Sequence, residues 1–254
     1  MNFLLFQYSG PLASFGGIAV GEDRGTERHP TKSSIIGLIL SALGIERDQE
    51  EKIKNISDNI RVAVKDYNVA TKIADFHTGM FPQLSKKDKI YTRRDELLLD
   101  NKKIHTLITK KEYLCDALFV IAVYFKNDFC EFSLEEIKHA IEFPHFTLYL
   151  GRKPCVPALP LNPVLMKKET ILESFNEYKV VIPSCSGERT LDWIKVSNEE
   201  FLNRYMNAGL PKDYYFEDPR LFGVSYEYSL QRRDDYLNVS KRQFLNRKEF
   251  FCQL

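Results

Sequence analysis

The chain has 254 residues, with 36 lysines and arginines against 35 aspartates and glutamates, so its formal net charge is only +1. This near-neutrality argues against a histone-like nucleic-acid binder, which needs a cationic surface overall, but it is compatible with a localised basic site. Hydrophobic residues make up 44 % of the chain and glycines number only 12, which indicates a globular protein rather than a disordered or fibrous one. The length fits one large domain or two small ones.

The sequence carries no sign of membrane insertion or secretion. No apolar run approaches the roughly 18 residues of a membrane-spanning helix, and the start of the chain lacks the basic segment and cleavage site of a signal peptide. We therefore expect a cytoplasmic protein. The cysteines are odd in number and widely spaced, without a CxxC pair, so we expect buried free thiols rather than zinc ligands or disulfides. They are Cys115, Cys130, Cys155, Cys185 and Cys252.

The first elements in chain order are predicted to be a strand, a loop and a helix. Residues 2–8 are apolar and aromatic, which favours a buried strand that ends at the turn Ser9-Gly10-Pro11. A glycine-rich loop follows. Apolar residues then recur at helical spacing, with Thr31 as the expected N-cap and Gly44 as the C-terminal stop.

The middle of the chain completes an α+β, ferredoxin-like pattern. Residues 60–64 and 116–125 have the apolar, β-branched character of buried strands, and residues 133–143 fit an amphipathic helix. The charged stretch between the two strands lacks a clear period, apart from a hairpin expected to join residues 96–100 to residues 103–109. The order strand, helix, strand, insertion, strand, helix matches half of a ferredoxin-like fold.

A change in amino-acid composition predicts a subdomain boundary near residue 155. Four prolines between residues 154 and 163 interrupt the chain, and short mixed strands with polar loops follow. We expect one domain over residues 1–155 and a small, mostly β subdomain over residues 156–254.

The near-zero net charge conceals two basic segments. Residues 86–111 hold nine lysines and arginines against four acids, and residues 231–249 hold six against three. Together they contribute +8, so the rest of the chain sums to −7. A charge run is often only a solvated face, but aromatic and imidazole rings that would stack on unpaired bases accompany the first segment. These rings belong to His77, Tyr91, His105 and Tyr113.

The start of the first helix is a second candidate for phosphate binding. The glycine-rich loop would place free backbone N–H groups, hydroxyls and cations around a helix N-terminus, where an anion is favoured. The side chains in question are those of Arg24, Arg28, Lys32, Ser33 and Ser34. A GxxxxGK[ST] loop is missing, so a nucleotide-hydrolysing site is not expected.

Seven segments resemble one known family and occur in the order expected of it. They read GPLASFG (10–16), RGTERHPTKSSIIGLI (24–39), LGIERD (43–48), DFHTG (75–79), EYLCDALF (112–119), FTLYLGRKPC (146–155) and RQFLNR (242–247). The chain is thereby similar to the CasD family, which belongs to the RAMP superfamily. CasD proteins are the Cas-five subunit of the type I-E CRISPR Cascade complex.

The resemblance implies an RRM-like N-terminal domain with a thumb inserted at about residues 75–112. It also implies a non-catalytic RNA-binding subunit that caps the 5′ handle of the guide crRNA and contacts the backbone and large subunits of the complex. Target DNA would be met only through the complex, and neither a cofactor nor a metal ion is expected. Lys111 stands where the family has an arginine, and Phe15 stands where it has a tryptophan.

The charge pattern and the resemblance together give one set of candidate RNA-binding residues. They are Gly10, Pro11, Ser14, Phe15, Gly16, Arg24, Arg28, Lys32, Ser33, Ser34, His77, Lys110, Lys111, Tyr113, Tyr149 and Arg152. No catalytic residue is expected among them.

A metal-independent endoribonuclease that processes CRISPR repeat RNA is the alternative function. Such cleavage needs a general base, a general acid and a cation on the phosphate. The side chains that could supply these groups are His77, His105, Lys110, Lys111 and Tyr113.

A free-standing chaperone of single-stranded RNA is a third possibility. A subunit of a complex should expose apolar patches to its neighbours, which a chaperone need not do. Tyr214, Tyr215 and Phe216 are a candidate patch, although ordinary core is the more frequent role of such a cluster.

Overall fold

The computed structural model describes residues 1–17, 19, 21–83, 90–99, 104–127, 129–181, 209–238, 241 and 243–254. Its strands are β1 (Asn2–Ala13), β2 (Asp23–Arg24), β3 (Ile60–Asp66), β4 (Thr71–Pro82), β5 (Ile104–Phe125), β6 (Val164–Lys167), β7 (Asp213–Phe216), β8 (Tyr228–Asn238) and β9 (Gln243–Gln253). Its helices are α1 (Lys32–Leu43), α2 (Glu50–Asn59), α3 (Arg93–Leu97), α4 (Leu134–Glu142), α5 (Ile171–Glu177) and α6 (Pro219–Phe222).

The described strands form one sheet in the order β6-β1-β5-β3-β7-β9-β8. Its pairs are antiparallel, and only the short β2 runs parallel to its partner β5. β5 is 22 residues long, and its second half lies between β1 and β3. Its first half pairs with β4 over the whole length of β4, so the β4–β5 hairpin is a direct extension of the central strand of the sheet.

Each face of the sheet carries its own apolar core. Alternate side chains of a strand point to opposite faces, so Phe119 and Ile121 of β5 enter one core while Leu118 and Val120 enter the other. Helices α1, α2 and α4 cover the first core, and helices α5 and α6 cover the second. No face of the sheet's centre is left open in the described part of the chain.

Both predicted helices are confirmed, and so are the two caps predicted for the first of them. The Thr31 side chain accepts the backbone N–H of Ser34 at the start of α1, and Gly44 ends that helix with a φ of +74°. Ser133 caps α4 in the same way through the N–H of Glu136. Helix α2 was not predicted, because its buried isoleucines, Ile53 and Ile56, lie in a strongly charged stretch.

Two predicted strand limits were wrong. β1 continues past the expected turn to Ala13, because Pro11 lies opposite Asp116 at a break in the pairing, where its missing N–H costs no ladder hydrogen bond. The hairpin also has a different first arm: β4 pairs with β5, whereas the expected arm, residues 96–100, begins inside α3 (Arg93–Leu97).

The boundary near residue 155 stays a prediction. Strands β6, β7, β8 and β9 follow it in the chain, and they belong to the same sheet as β1 and β3. The aromatic cluster of Tyr214, Tyr215 and Phe216 forms β7 and is buried, so it is core and not an exposed patch.

The burial of the cysteines agrees only partly with the expectation of buried free thiols. Cys155 and Cys252 are buried free thiols, whereas Cys115 and Cys130 are half-buried, and Cys185 lies outside the described residues. No helix in the described segments is both long and apolar enough to traverse a bilayer.

Candidate nucleic-acid interface

Four chain segments meet where the β4–β5 hairpin leaves the sheet. The Ser14 hydroxyl donates a hydrogen bond to the backbone carbonyl of Glu112 at 2.9 Å. The Arg152 guanidinium donates to the same carbonyl at 3.3 Å and to the carbonyl of Arg24 at 2.9 Å. Side chains that are far apart in sequence are therefore fixed to one strand, β5.

The parallel pair β2–β5 places four charged residues side by side. Asp23 lies opposite Lys110, and Arg24 lies opposite Lys111. The loop after β2 is held by Thr26, whose hydroxyl accepts the backbone N–H of Phe15 at 2.9 Å. Arg24 is exposed, and both lysines are partly exposed, so the cations face solvent at this point.

Close approach of two backbones at this junction requires glycine at position 151. Gly151 has a φ of +92°, and a Cβ built there would lie 1.7 Å from the carbonyl oxygen of Ser14. Any other residue would push the 151–152 segment away from β1. Arg152 would move with it.

An open cleft of about 220 Å³ lies between these segments. We call it the hairpin-base cleft; its lining residues are Gly16, Gly17, Ala19, Arg24, Gly25, Thr26, Glu27 and Arg152. Two arginines and several exposed backbone groups thus border one concave surface. This is the arrangement that a phosphate group prefers.

Ring stacking and ion pairing both occur beside the cleft. The Arg152 guanidinium lies over the Tyr113 ring, 4.9 Å from its centroid. The Glu112 carboxylate lies 2.7 Å from the Lys72 ammonium and 3.5 Å from that of Lys110. Hydrogen bonds from Lys72 and from the backbone N–H of Thr26 hold the pKa of Glu112 below its usual value.

The start of α1 is closed to ligands, which corrects the prediction for Lys32. Its side chain is fully buried, with the ammonium 3.0 Å from Asp235 and 3.6 Å from Glu217. Its backbone N–H donates to the Asp234 carboxylate at 2.8 Å. An internal anion therefore occupies the place at the helix start where a phosphate is expected from the sequence.

The two serines at the helix start bond within it. The Ser34 hydroxyl donates to the Thr31 carbonyl at 2.7 Å, and the Ser33 hydroxyl lies 3.2 Å from that of Thr31. Both serines are half-buried, so they contribute to the cap and do not line the hairpin-base cleft.

Burial also corrects the prediction for Phe15. Its ring is 0 % exposed and packs edge-on against Phe119, with the centroids 5.6 Å apart, so it offers no face to a base. Of the remaining loop candidates, Gly10 and Ser14 are buried, whereas Pro11 and Gly16 are exposed.

Arg28 lies on the surface but away from the hairpin-base cleft. Its guanidinium donates to the Asn68 side chain at 2.7 Å and lies 3.6 Å from the Asp213 carboxylate. Tyr149 is half-buried, two residues before Gly151. Neither candidate shares a hydrogen bond with the cleft residues.

The two hairpin histidines are separated along the strands. His77 is exposed on β4, with its Nε2 2.5 Å from the Asp75 carboxylate, and His105 on β5 lies 3.0 Å from the side-chain oxygen of Gln83. His77 is paired with Thr109, four residues from His105. At the usual rise per residue that separation is roughly 13 Å.

The second basic segment is partly turned inward. Arg247 donates to Asp234 at 2.6 Å and to Glu249 at 2.7 Å, and Arg232 donates to Glu249 at 3.0 Å. These arginines neutralise buried acids instead of forming a basic surface. The exposed cations of this segment are Arg233, Lys241 and Lys248. Arg242 lies outside the described residues, and so do several cations of segment 86–111.

Sequence reasoning missed several residues of the site, among them Lys72, Glu112 and Gly151. Lys72 gave no signal, because its neighbours fit no pattern. Glu112 and Gly151 stand inside two of the motifs quoted above, and a search for acids among the cations would have found Glu112. Among the residues that the structure describes, no group of three or more His, Cys, Asp or Glu side chains could hold a metal ion.

Comparison with known proteins gives consistent matches. Residues 3–229 match the family described as CRISPR-associated protein (Cas_Cas5). The CRISPR system Cascade subunit CasD of Escherichia coli (strain K12) is 30 % identical in an alignment of 168 residues, which covers 63 % of this chain and 69 % of that protein.

Two solved structures share the fold. One, titled CRISPR RNA-guided surveillance complex, has a TM-score of 0.61 at 22 % identity and covers 99 % of this chain and 89 % of its own. Another, titled crystal structure of Cas protein, has a TM-score of 0.54 at 21 % identity and covers 99 % and 93 %.

Proposed function

Because the chain belongs to the family of CRISPR-associated Cas5 proteins, we propose that it is an RNA-binding subunit of a Cascade-type surveillance complex. In this role it binds the 5′ handle of the guide crRNA and contacts the backbone and large subunits of the complex. The relative named as a Cascade subunit and the fold shared with a surveillance complex support the proposal.

The observation that carries the proposal is the gathering of cations at the base of the hairpin. Arg24, Lys110, Lys111 and Arg152 come from three separate segments and border the hairpin-base cleft or flank it on β5. Arginines bind phosphates through two parallel hydrogen bonds, and lysines bind them as point charges. A site of this kind fits a defined RNA end better than a long stretch of backbone.

The topology supports a RAMP-type domain whose RNA site lies off the sheet face. The strand order β6-β1-β5-β3, with α1 after β1 and α4 after β5, is that of a ferredoxin-like domain. RRM domains bind bases on the open face of such a sheet. Here α5 and α6 cover that face, so we assign RNA binding to the base of the hairpin instead.

The hairpin itself suits contacts with neighbouring subunits. Exposed apolar side chains occur on both of its faces: Phe76 (65 %), Ile108 (54 %) and Met80 (51 %) on one, and Phe81 (49 %) and Ile73 (42 %) on the other. Exposed apolar surface on two sides of a two-stranded element favours burial in a larger assembly. This observation favours a complex subunit over a free-standing RNA chaperone.

We also propose that the subunit is not catalytic. General acid and general base must both reach one phosphodiester, within hydrogen-bond distance or through one water. The roughly 13 Å between the strand positions of His77 and His105 does not meet this requirement.

Charge reversal tests the proposed function. The double variant Lys110→Glu/Lys111→Glu should abolish co-purification of guide RNA with the assembled complex and leave urea unfolding unchanged. The matched control is Lys52→Glu/Lys54→Glu, which makes the same charge change at exposed positions of α2. Undiminished guide RNA in the first variant would refute the assignment. Metal-independent cleavage of labelled repeat RNA in EDTA by the purified chain, lost in His77→Ala, would favour the endoribonuclease instead.

A further inference from the structure

Glu112 is the anionic centre of an otherwise cationic site. Its carboxylate lies 2.7 Å from the Lys72 ammonium and 3.5 Å from the Lys110 ammonium, and it accepts the backbone N–H of Thr26 at 3.3 Å. The Glu112 side chain is 20 % exposed, against 52 % for Lys72 and 37 % for Lys110. One half-buried carboxylate thus pairs with two cations that face solvent and cancels one of their two charges.

Strand geometry explains why these three side chains meet. Lys110 and Glu112 are two residues apart on β5, so they point to the same face of the hairpin. Lys72 lies on the neighbouring strand, paired with Leu114, and therefore shares this face. The side chain opposite Glu112 is that of Ala74, which is too small to separate the charges.

The backbone of Glu112 ties this ion cluster to the hairpin-base cleft. Its carbonyl accepts hydrogen bonds from Ser14 and from Arg152, which lines the cleft. Its carboxylate bonds Thr26, which also lines the cleft. The two lysines and the cleft arginine are consequently arranged around a single residue.

A carboxylate and a phosphate make the same contacts with an ammonium group. The Glu112 carboxylate, between two lysines at the edge of the cleft, therefore stands where a phosphate oxygen would bind them. We propose that Glu112 is a positioning and selectivity residue, an internal counter-ion that an RNA phosphate must replace on Lys72 and Lys110. This inference rests on the proposed function and adds how the site discriminates among RNAs.

Discrimination follows from the cost of replacing the internal anion. An unrelated RNA strand gains less at Lys72 and Lys110 than at two free lysines, because Glu112 cancels one of their two charges. An RNA end that fits the cleft is held by Arg24 and Arg152, which raises the local concentration of its next phosphate beside the lysines. Selectivity arises because the site opposes the wrong ligand as well as attracting the right one.

The variant Glu112→Gln tests the inference. Glutamine keeps the size of the side chain and an acceptor for the Thr26 N–H, but it releases both lysines. In the purified full-length chain, we expect tighter binding of an unrelated single-stranded RNA. The plot of log affinity against log salt should steepen by about 0.7, since the cluster gains one net positive charge and each charge that neutralises a phosphate adds roughly 0.7 on a single strand. The preference for 5′-handle RNA over unrelated RNA should fall.

Two further sets of variants complete the experiment. Glu131→Gln makes the same charge change at an exposed position away from the hairpin and should leave the salt dependence as in the wild type. Adding Lys72→Gln and Lys110→Gln to the Glu112→Gln chain should remove this increase in slope. In the wild-type background the same two lysine changes should weaken binding of 5′-handle RNA more than binding of unrelated RNA, which tests the inference even if Glu112→Gln does not fold.

The inference is overturned if Glu112→Gln keeps the wild-type slope and preference, or if the lysine changes alone weaken binding of both RNAs equally. Failure of the proposed function would look different. The wild-type chain would then bind 5′-handle RNA no better than the Lys110→Glu/Lys111→Glu variant.

Discussion

The carboxylate of Asp234 accepts the backbone N–H of Lys32, the first residue of α1, although 202 positions separate the two residues in the chain. The same carboxylate receives two hydrogen bonds from Arg247, at 2.6 and 2.9 Å. A negative charge at a helix N-terminus stabilises the helix. Strand β8 therefore supplies the anion for α1, and the helix start has no need of an external phosphate.

Removing this carboxylate should destabilise the fold. We expect Asp234→Ala to lower the free energy of unfolding by about 3 kcal/mol, because it leaves the buried Arg247 without one of its partners. Urea unfolding measures the loss. The control Asp48→Ala changes an exposed aspartate beyond the end of α1 and should change stability by less than about 0.5 kcal/mol. Equal stability of the two variants would contradict a capping role for Asp234.

Asp66 predicts a pH dependence of stability. Burial, above all, raises the pKa of this carboxyl to about 7, from 3.8 for the free side chain. Since the folded state holds the proton more tightly, the contribution to stability is complete below about pH 4 and is lost as the pH rises through about 7. The variant Asp66→Asn should escape this loss.

The difference between Asp66→Asn and the wild type isolates the effect. Their unfolding free energies should be close at about pH 4, and the variant should be more stable by about 4 kcal/mol at about pH 8. The amide of the variant keeps an oxygen for the N–H of Asn68, which the wild-type carboxylate accepts at 2.8 Å. The exposed Asp58 on α2, changed to asparagine, serves as the control and should give a difference that does not vary with pH. A constant difference for Asp66→Asn would disprove the prediction.

Gly151 should be intolerant of any side chain. Gly151→Ala places a Cβ against the Ser14 carbonyl and adopts a left-handed backbone, so we expect a loss of about 2 kcal/mol in stability and a weaker hold on guide RNA. Gly37→Ala is the matched comparison, because nothing lies within 4 Å of its new Cβ in α1. That change should stabilise the chain by roughly 0.5–1 kcal/mol. Similar effects of the two changes in urea unfolding would refute the close-approach argument.

Asp116 sits at the point where β5 passes from the sheet into the hairpin. Its φ of +57° is costly for β-branched residues and tolerable for aspartate, asparagine and glycine. Asp116→Val should therefore lower stability by about 1–2 kcal/mol, whereas Asp116→Asn should be neutral. Thermal or urea unfolding of the two variants decides the matter, and equal behaviour would show that the backbone at this position relaxes.

Local patterns predicted the core elements well and the charged surface poorly. Helix α1 and its caps follow from spacing and from Thr31 and Gly44, because these signals act within a few residues. The pairing of β4 with β5 does not follow from local patterns. Nearly all side chains of β4 are exposed, so its apolar residues do not alternate with polar ones. Its stability comes from a neighbouring strand and not from its own burial.

The candidate site was predictable in outline through its motifs. Arg24, Lys111 and Arg152 were all expected, and the structure brings them together. Lys32 and Phe15 were placed wrongly because sequence alone does not reveal which cation pairs with distant acids or which ring faces inward. The partners that decide these cases, such as Asp234 and Phe119, lie far away in the chain.

The order of the strands also has a consequence for synthesis of the protein. β1, β3 and β5 can pair as soon as residue 125 has emerged from the ribosome, but the second edge of β3 is covered only by β7. Until then β3 presents unpaired peptide groups, which are a template for aggregation. A chain interrupted before β7 would keep this open edge permanently, so the last strands protect the nascent protein although they lie away from the hairpin-base cleft.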